Sequence, residues 1–135
     1  VWGPSGTAAS YNQVQLFNPV GSGKRVIIDQ VMVGSSAFDV IQGYFYATAL
    51  DAYGYGQNKK SGGAQSVCEA RIKVVPVRLM ATPAIMSVSV NGSSSIPYRP
   101  TSPFLLLPGT GFMLQNAVQN VGLYADIEFY EESIT

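Results

Sequence analysis

The sequence predicts an all-β chain folded as an antiparallel two-sheet β-sandwich, and three observations carry that expectation. Apolar residues recur with a period of two along short runs; turns rich in Gly, Pro and Asn separate the runs; and no amphipathic helix of more than two turns fits anywhere. The last run is the clearest. Leu123, Ala125, Ile127 and Phe129 alternate with Tyr124, Asp126, Glu128 and Tyr130, so one set faces a core and the other faces water or a neighbour. About eight such runs in 135 residues suggest a jelly roll, with an immunoglobulin-like sandwich as the alternative.

Residues 1–10, rich in Gly, Pro, Ser and Ala, read as an extended N-terminal arm, and residues 11–135 read as a single sandwich domain. Trp2 is suited to anchor the arm in a neighbour's pocket. The arm has neither a basic start nor an apolar stretch, unlike a signal peptide, and the missing initiator Met suggests trimming or an excerpt of a longer chain.

The first strand is expected at Tyr11–Phe17, with Val14 and Leu16 facing one way, before an Asn18-Pro-Val-Gly-Ser-Gly23 turn. Arg25–Val33 is rich in β-branched residues. It reads as a central strand with Ile27, Val31 and Val33 on one face and Val26, Ile28 and Met32 on the other. Phe38–Leu50 is a long run in which Phe38, Val40, Tyr44, Tyr46 and Leu50 are in register and Gly43 marks a bulge.

Asp51–Gly63 has too much Gly and too little aliphatic content for a core, and reads as a long exposed loop. Ser66–Val75 resumes as a half-wet strand, with Cys68, Ala70, Ile72 and Val74 opposing Val67, Glu69, Arg71 and Lys73; Pro76 interrupts it. Ala84–Val90 alternates again and ends at Asn91-Gly92, the strongest short turn signal. Three prolines make Ser93–Pro103 an extended link. Phe104–Leu107, Gly111–Asn116 and Val121–Glu131 complete the set.

Composition excludes more chemistry than it suggests. Hydrophobic residues make up 47% of the chain and charged residues only 12%, about half the usual charged share. A surface so poor in charge is weakly protected against association, so it is expected to be covered by other subunits. Eight basic residues balance eight acidic ones, leaving no field for nucleic acid. No run of eighteen apolar residues offers a membrane span. The lone Cys68 supports no disulfide framework and reads as a buried hydrophobe.

Histidine is absent, which removes the commonest general base and metal ligand together. No pair of Cys or His offers zinc a site, and no cofactor is implied. Gly21-Ser-Gly-Lys24 and Gly109-Thr-Gly111 resemble phosphate loops, yet neither leads into a helix. Asp126 and Glu128 share a strand face about 7 Å apart, a separation open to glycoside hydrolysis, but their alternation reads as an ordinary outer face. No catalytic residue is assigned. The better candidate is a contact surface: Tyr53 and Tyr55, beside Tyr44 and Tyr46, supply rings while Asn58, Lys59 and Lys60 supply donors. Tyr124 and Tyr130 flank the paired carboxylates and mark a second face for a subunit.

Two segments carry a resemblance. Gln15-Leu-Phe-Asn-Pro-Val-Gly-Ser-Gly-Lys-Arg-Val-Ile-Ile is one. The other is Phe104-Leu-Leu-Leu-Pro-Gly-Thr-Gly-Phe-Met-Leu-Gln-Asn, followed by Asn120-Val-Gly-Leu-Tyr-Ala-Asp-Ile-Glu-Phe-Tyr-Glu. Together they resemble the small β-sandwich virion proteins of tailed bacteriophages. The resemblance implies a non-enzymatic structural role on the particle: capsid decoration or cement, head fibre or tail tip. The expected partners are other virion subunits and further copies of the chain, a trimer being expected, with no nucleic acid and no membrane. The alternative is a lectin-like module that binds a glycan receptor through Tyr53, Tyr55, Asn58 and Lys59.

Overall fold

The computed structural model describes residues 10–55, 65–78, 84–92 and 95–134. They form ten strands: β1 (Tyr11–Asn18), β2 (Lys24–Ser35), β3 (Asp39–Phe45), β4 (Asp51–Tyr55), β5 (Glu69–Val75), β6 (Met86–Val90), β7 (Ser95–Tyr98), β8 (Phe104–Leu106), β9 (Thr110–Asn116) and β10 (Leu123–Ser133). Every strand pairing is antiparallel. The larger sheet runs β4-β5-β1-β9-β3-β6, and the smaller runs β10-β2-β7 with β8 also on β2. The chain is a β-sandwich, as the alternation predicts.

Partners nest around the chain's midpoint: β1 with β9, β2 with β7 and β8, β3 with β6, β4 with β5. The β4–β5 hairpin sits on the edge of β1 and so widens the larger sheet to six strands.

Two strands exceed the eight expected. Asp51–Tyr55 reads as loop but pairs with β5, and Ser95–Tyr98 reads as a link but pairs with Val31–Gly34 of β2. Pro97 sits in β7 on the side strand of β2, where a missing N–H is tolerated. Phe38–Leu50 is shorter than its pattern suggests. β3 stops at Phe45, and Phe38 is 62% exposed in the preceding turn.

The core lies between the sheets. Val14, Leu16, Ile41, Met86, Val90, Phe112 and Leu114 meet Val26, Ile28, Val31, Val33, Leu106, Leu123 and Ala125, with Cys68 among them. Ile127 and Phe129 pack against this cluster, so the whole inner set of the last strand is in place. Gly43 is not a bulge. It pairs regularly with Met86 and Leu114, and a Cβ there would lie 2.6 Å from Met86 Cγ and 2.8 Å from Phe112 Cζ. Glycine is needed to let the Phe112 ring approach the backbone.

The two-faced reading of β2 needs correcting. Glu128 pairs with Gln30 and Phe129 with Ile28, which leaves Asp29 as an extra residue. The bulge changes the parity of the strand. Val26 and Ile28 before it and Val31 and Val33 after it therefore all face the core, each fully buried.

Polar clasps close both ends of β1. At one end Asn18 Nδ2 donates to Lys24 O (2.9 Å) and Leu106 O (3.0 Å), while the Gly109 N–H donates to Asn18 O (2.7 Å). At the other, Asn12 and Asn116 both donate to Val121 O, and Asn116 Oδ1 accepts from the Asn12 N–H. The inward row of β1 is thus Asn12, Val14, Leu16, Asn18: apolar in the middle and polar where the sheets must be laced together. The two segments that carry the virion-protein resemblance meet at the Asn18 corner.

Candidate functional site

Two surfaces hold residues singled out in the sequence, Tyr124, Asp126, Glu128 and Tyr130 on one and Tyr55 on the other. The first is the outer face of the smaller sheet. The alternation of β10 turns Tyr124, Asp126, Glu128 and Tyr130 outward, opposite Gly34, Met32, Gln30 and Ile27 of β2. Ile27 in turn pairs with Leu105 of β8. Tyr130, Ile27 and Leu105 therefore form one row across three strands. Its outer members are 51% and 46% exposed, and Ile27 between them is shielded to 8%. Leu107, just past β8, is 52% exposed. An Arg25–Glu132 ion pair, with Nε 2.6 Å from Oε2, borders this apolar band, and Arg99 donates to Gln30 at 2.7 Å beside it.

Asp126 and Glu128 sit on this open sheet face, not within a cleft, and their strand neighbours are Met32 and Gln30. The two carboxylates share one face of β10. Ile27, Leu105 and Leu107 were not singled out in the sequence. Leu105 and Leu107 lie in an unbroken apolar run whose outward members periodicity alone does not mark.

The second surface is at β4 and β5. Tyr55 lies opposite Glu69 and Ala52 opposite Arg71, with the register shifted between Ala52 and Gly54. Tyr53 occupies the extra position of that bulge. Tyr55, Glu69, Arg71, Ala52, Gly54 and Ala70 line an open cleft of about 230 Å³. Trp2, Asn58 and Lys59 lie outside the described residues, as does Lys60.

Tyr44 and Tyr46 do not join the cleft. Tyr44 is buried with Leu50 and Met113 in a small second cluster on the outer side of the larger sheet, and Tyr46 packs on it. The chain after β3 folds over that face because Gln15 holds it. Gln15 Nε2 donates to Tyr46 O and Thr48 O, and Gln15 Oε1 accepts from the Leu50 N–H. Gln13 bonds Gln115 in the next row, so this face is lined with buried, paired amides.

Cys68 is fully buried, and its thiol is pushed up from 9.0 to about 12 by burial first and by the Glu131 carboxylate second. A thiol so held is a poor nucleophile. Among the described residues no His, Cys, Asp and Glu cluster could hold a metal, and no helix is long and apolar enough to cross a membrane. No family model, curated protein or solved structure matches the chain.

Proposed function

We propose that this chain is a non-enzymatic virion structural protein, a decoration or cement subunit that stabilises a bacteriophage particle through contacts with other subunits. The observation that carries the reading is the apolar band Tyr130–Ile27–Leu105, extended by Leu107, on the outer face of a charge-poor sandwich. Burying the exposed part of each large side chain there is worth about 1 kcal/mol. Apolar, exposed at its ends and bordered by the Arg25–Glu132 ion pair, the band has the make-up of a contact surface. The resemblance to small virion sandwiches supports the particle setting, and the Asn18 corner unites both segments on which it rests.

On this reading the purified chain self-associates, as a trimer, and is carried in many copies on particles. Leu105→Glu combined with Tyr130→Glu would place charges in the band without touching the inner core. Sedimentation velocity should then show a monomer of unchanged circular dichroism, where the parent chain shows an oligomer. Peptide mass spectrometry of density-purified particles from the source sample should recover the chain in multiple copies. Recovery in the soluble fraction alone, together with a monomeric parent chain, would overturn the proposal.

A further inference from the structure

We infer that the cleft between β4 and β5 is a binding site for a neutral saccharide unit presenting two adjacent hydroxyls. It is lined by Ala52, Gly54, Tyr55, Glu69, Ala70 and Arg71 and measures about 230 Å³. That falls below the roughly 300–1,000 Å³ of pockets that take drug-sized ligands, leaving room for one sugar ring rather than a nucleotide or a peptide.

The polar groups are fixed in advance. Arg71 Nη1 donates to Leu50 O at 2.7 Å, and its Nε and Nη2 donate to Glu69 Oε1 at 3.1 and 2.9 Å. Behind it the guanidinium carbon lies 5.8 Å from the centre of the Phe17 ring. A guanidinium carries five N–H donors, so two remain for a ligand. The second oxygen of Glu69 accepts no hydrogen bond among the described residues. The cleft therefore presents spare donors and a spare acceptor side by side, on a pair whose side chains are only 19% and 22% exposed.

Charge and shape select the ligand. Arg71 and Glu69 cancel, so an anion gains no net attraction, and Glu69 disfavours it. A hydroxyl both gives and accepts a hydrogen bond, and two adjacent hydroxyls can answer the donor and the acceptor together. Tyr55, 52% exposed and directly across from Glu69, offers its ring to the apolar side of a sugar. Space exists because Ala52 is small opposite Arg71.

The test titrates the isotopically labelled chain with methyl mannoside, methyl galactoside, methyl glucoside, glycerol and N-acetylneuraminic acid, following the amides of Ala52, Gly54, Glu69, Ala70 and Arg71. A saturable shift confined to these amides with at least one neutral glycoside is expected. Glycerol separates a small polyol site from a sugar-ring site, and saturation by glycerol alone would overturn the ring assignment. Ala52→Leu fills the cleft without removing a polar partner, so it should abolish binding while the melting temperature holds. Glu69→Gln should weaken neutral binding about tenfold or more and admit the acidic sugar. No saturable shift with any neutral glycoside, preference of the parent for the acidic sugar, or unchanged binding in Ala52→Leu would overturn the proposal. The site does not rest on the assembly reading: a chain made monomeric at the apolar band should still bind.

Discussion

Asn18 does three jobs with one side chain and one carbonyl. Its amide satisfies Lys24 O and Leu106 O, its Oδ1 accepts from Ser22 Oγ, and its backbone O receives the Gly109 N–H. Removing a donor from a buried carbonyl costs about 1–3 kcal/mol. Asn18→Ala should therefore lose about 2–4 kcal/mol in urea unfolding, and Asn18→Asp should be no better because a carboxylate would face two carbonyls. Gly43→Ala should lose about 1–3 kcal/mol by overpacking. Shortening Met86 to Ala in the same chain should cost less than it does alone, since the two contacts are shared. Cys68 adds a pH dependence. Its folded value, about 12, is raised above the ordinary 9.0, so its contribution is complete below pH 9 and is lost as pH rises from 9 to 12. The urea midpoint of the parent should fall over that window relative to Cys68→Ala. The apolar inner residues of β1 were legible in the sequence. The asparagines at its ends were not, because a buried, bonded amide and a solvated one are the same letter in a pattern.

At the scale of the element, bulges decide which faces are built. Asp29 in β2 lets Val26, Ile28, Val31 and Val33 all point inward despite their broken spacing. Deleting Asp29 should restore a regular strand with the same four residues inside, at a cost near or below about 1.5 kcal/mol. Deleting Met32 puts the two halves of the strand out of phase, exposing Val33 or, where the bulge is lost instead, exposing Val31 and burying Gln30. That variant should show no cooperative unfolding transition. In β4 the extra position at Tyr53 brings Ala52 and Tyr55 to one face, which is how the cleft acquires both a gap and a ring. Period-two reading found the strands without bulges, as in β10, β5 and β6. It misassigned β2 and passed over β4 and β7, since one inserted residue, a glycine-rich composition or a proline each erases the local signal.

For the whole molecule, strand membership in sheets is a long-range property, and alternation said nothing of it. That β4 and β5 join the edge of β1, or that β7 and β8 share one side of β2, follows from how the core closes. The sandwich class was visible; the cleft, assembled across a hairpin, was not. Distance along the chain also sets when each strand can find its partner. β1 first finds a neighbour in β5 at Glu69, and β2 in β7 at Ser95, while the Asn18 corner is completed only by Leu106 and Gly109. During synthesis the opening strands therefore leave the ribosome with bare edges and wait for most of the chain to emerge. Nascent chains arrested before residue 104 should remain protease-sensitive and hold chaperones, and protection should arrive in one step once β8 to β10 are free.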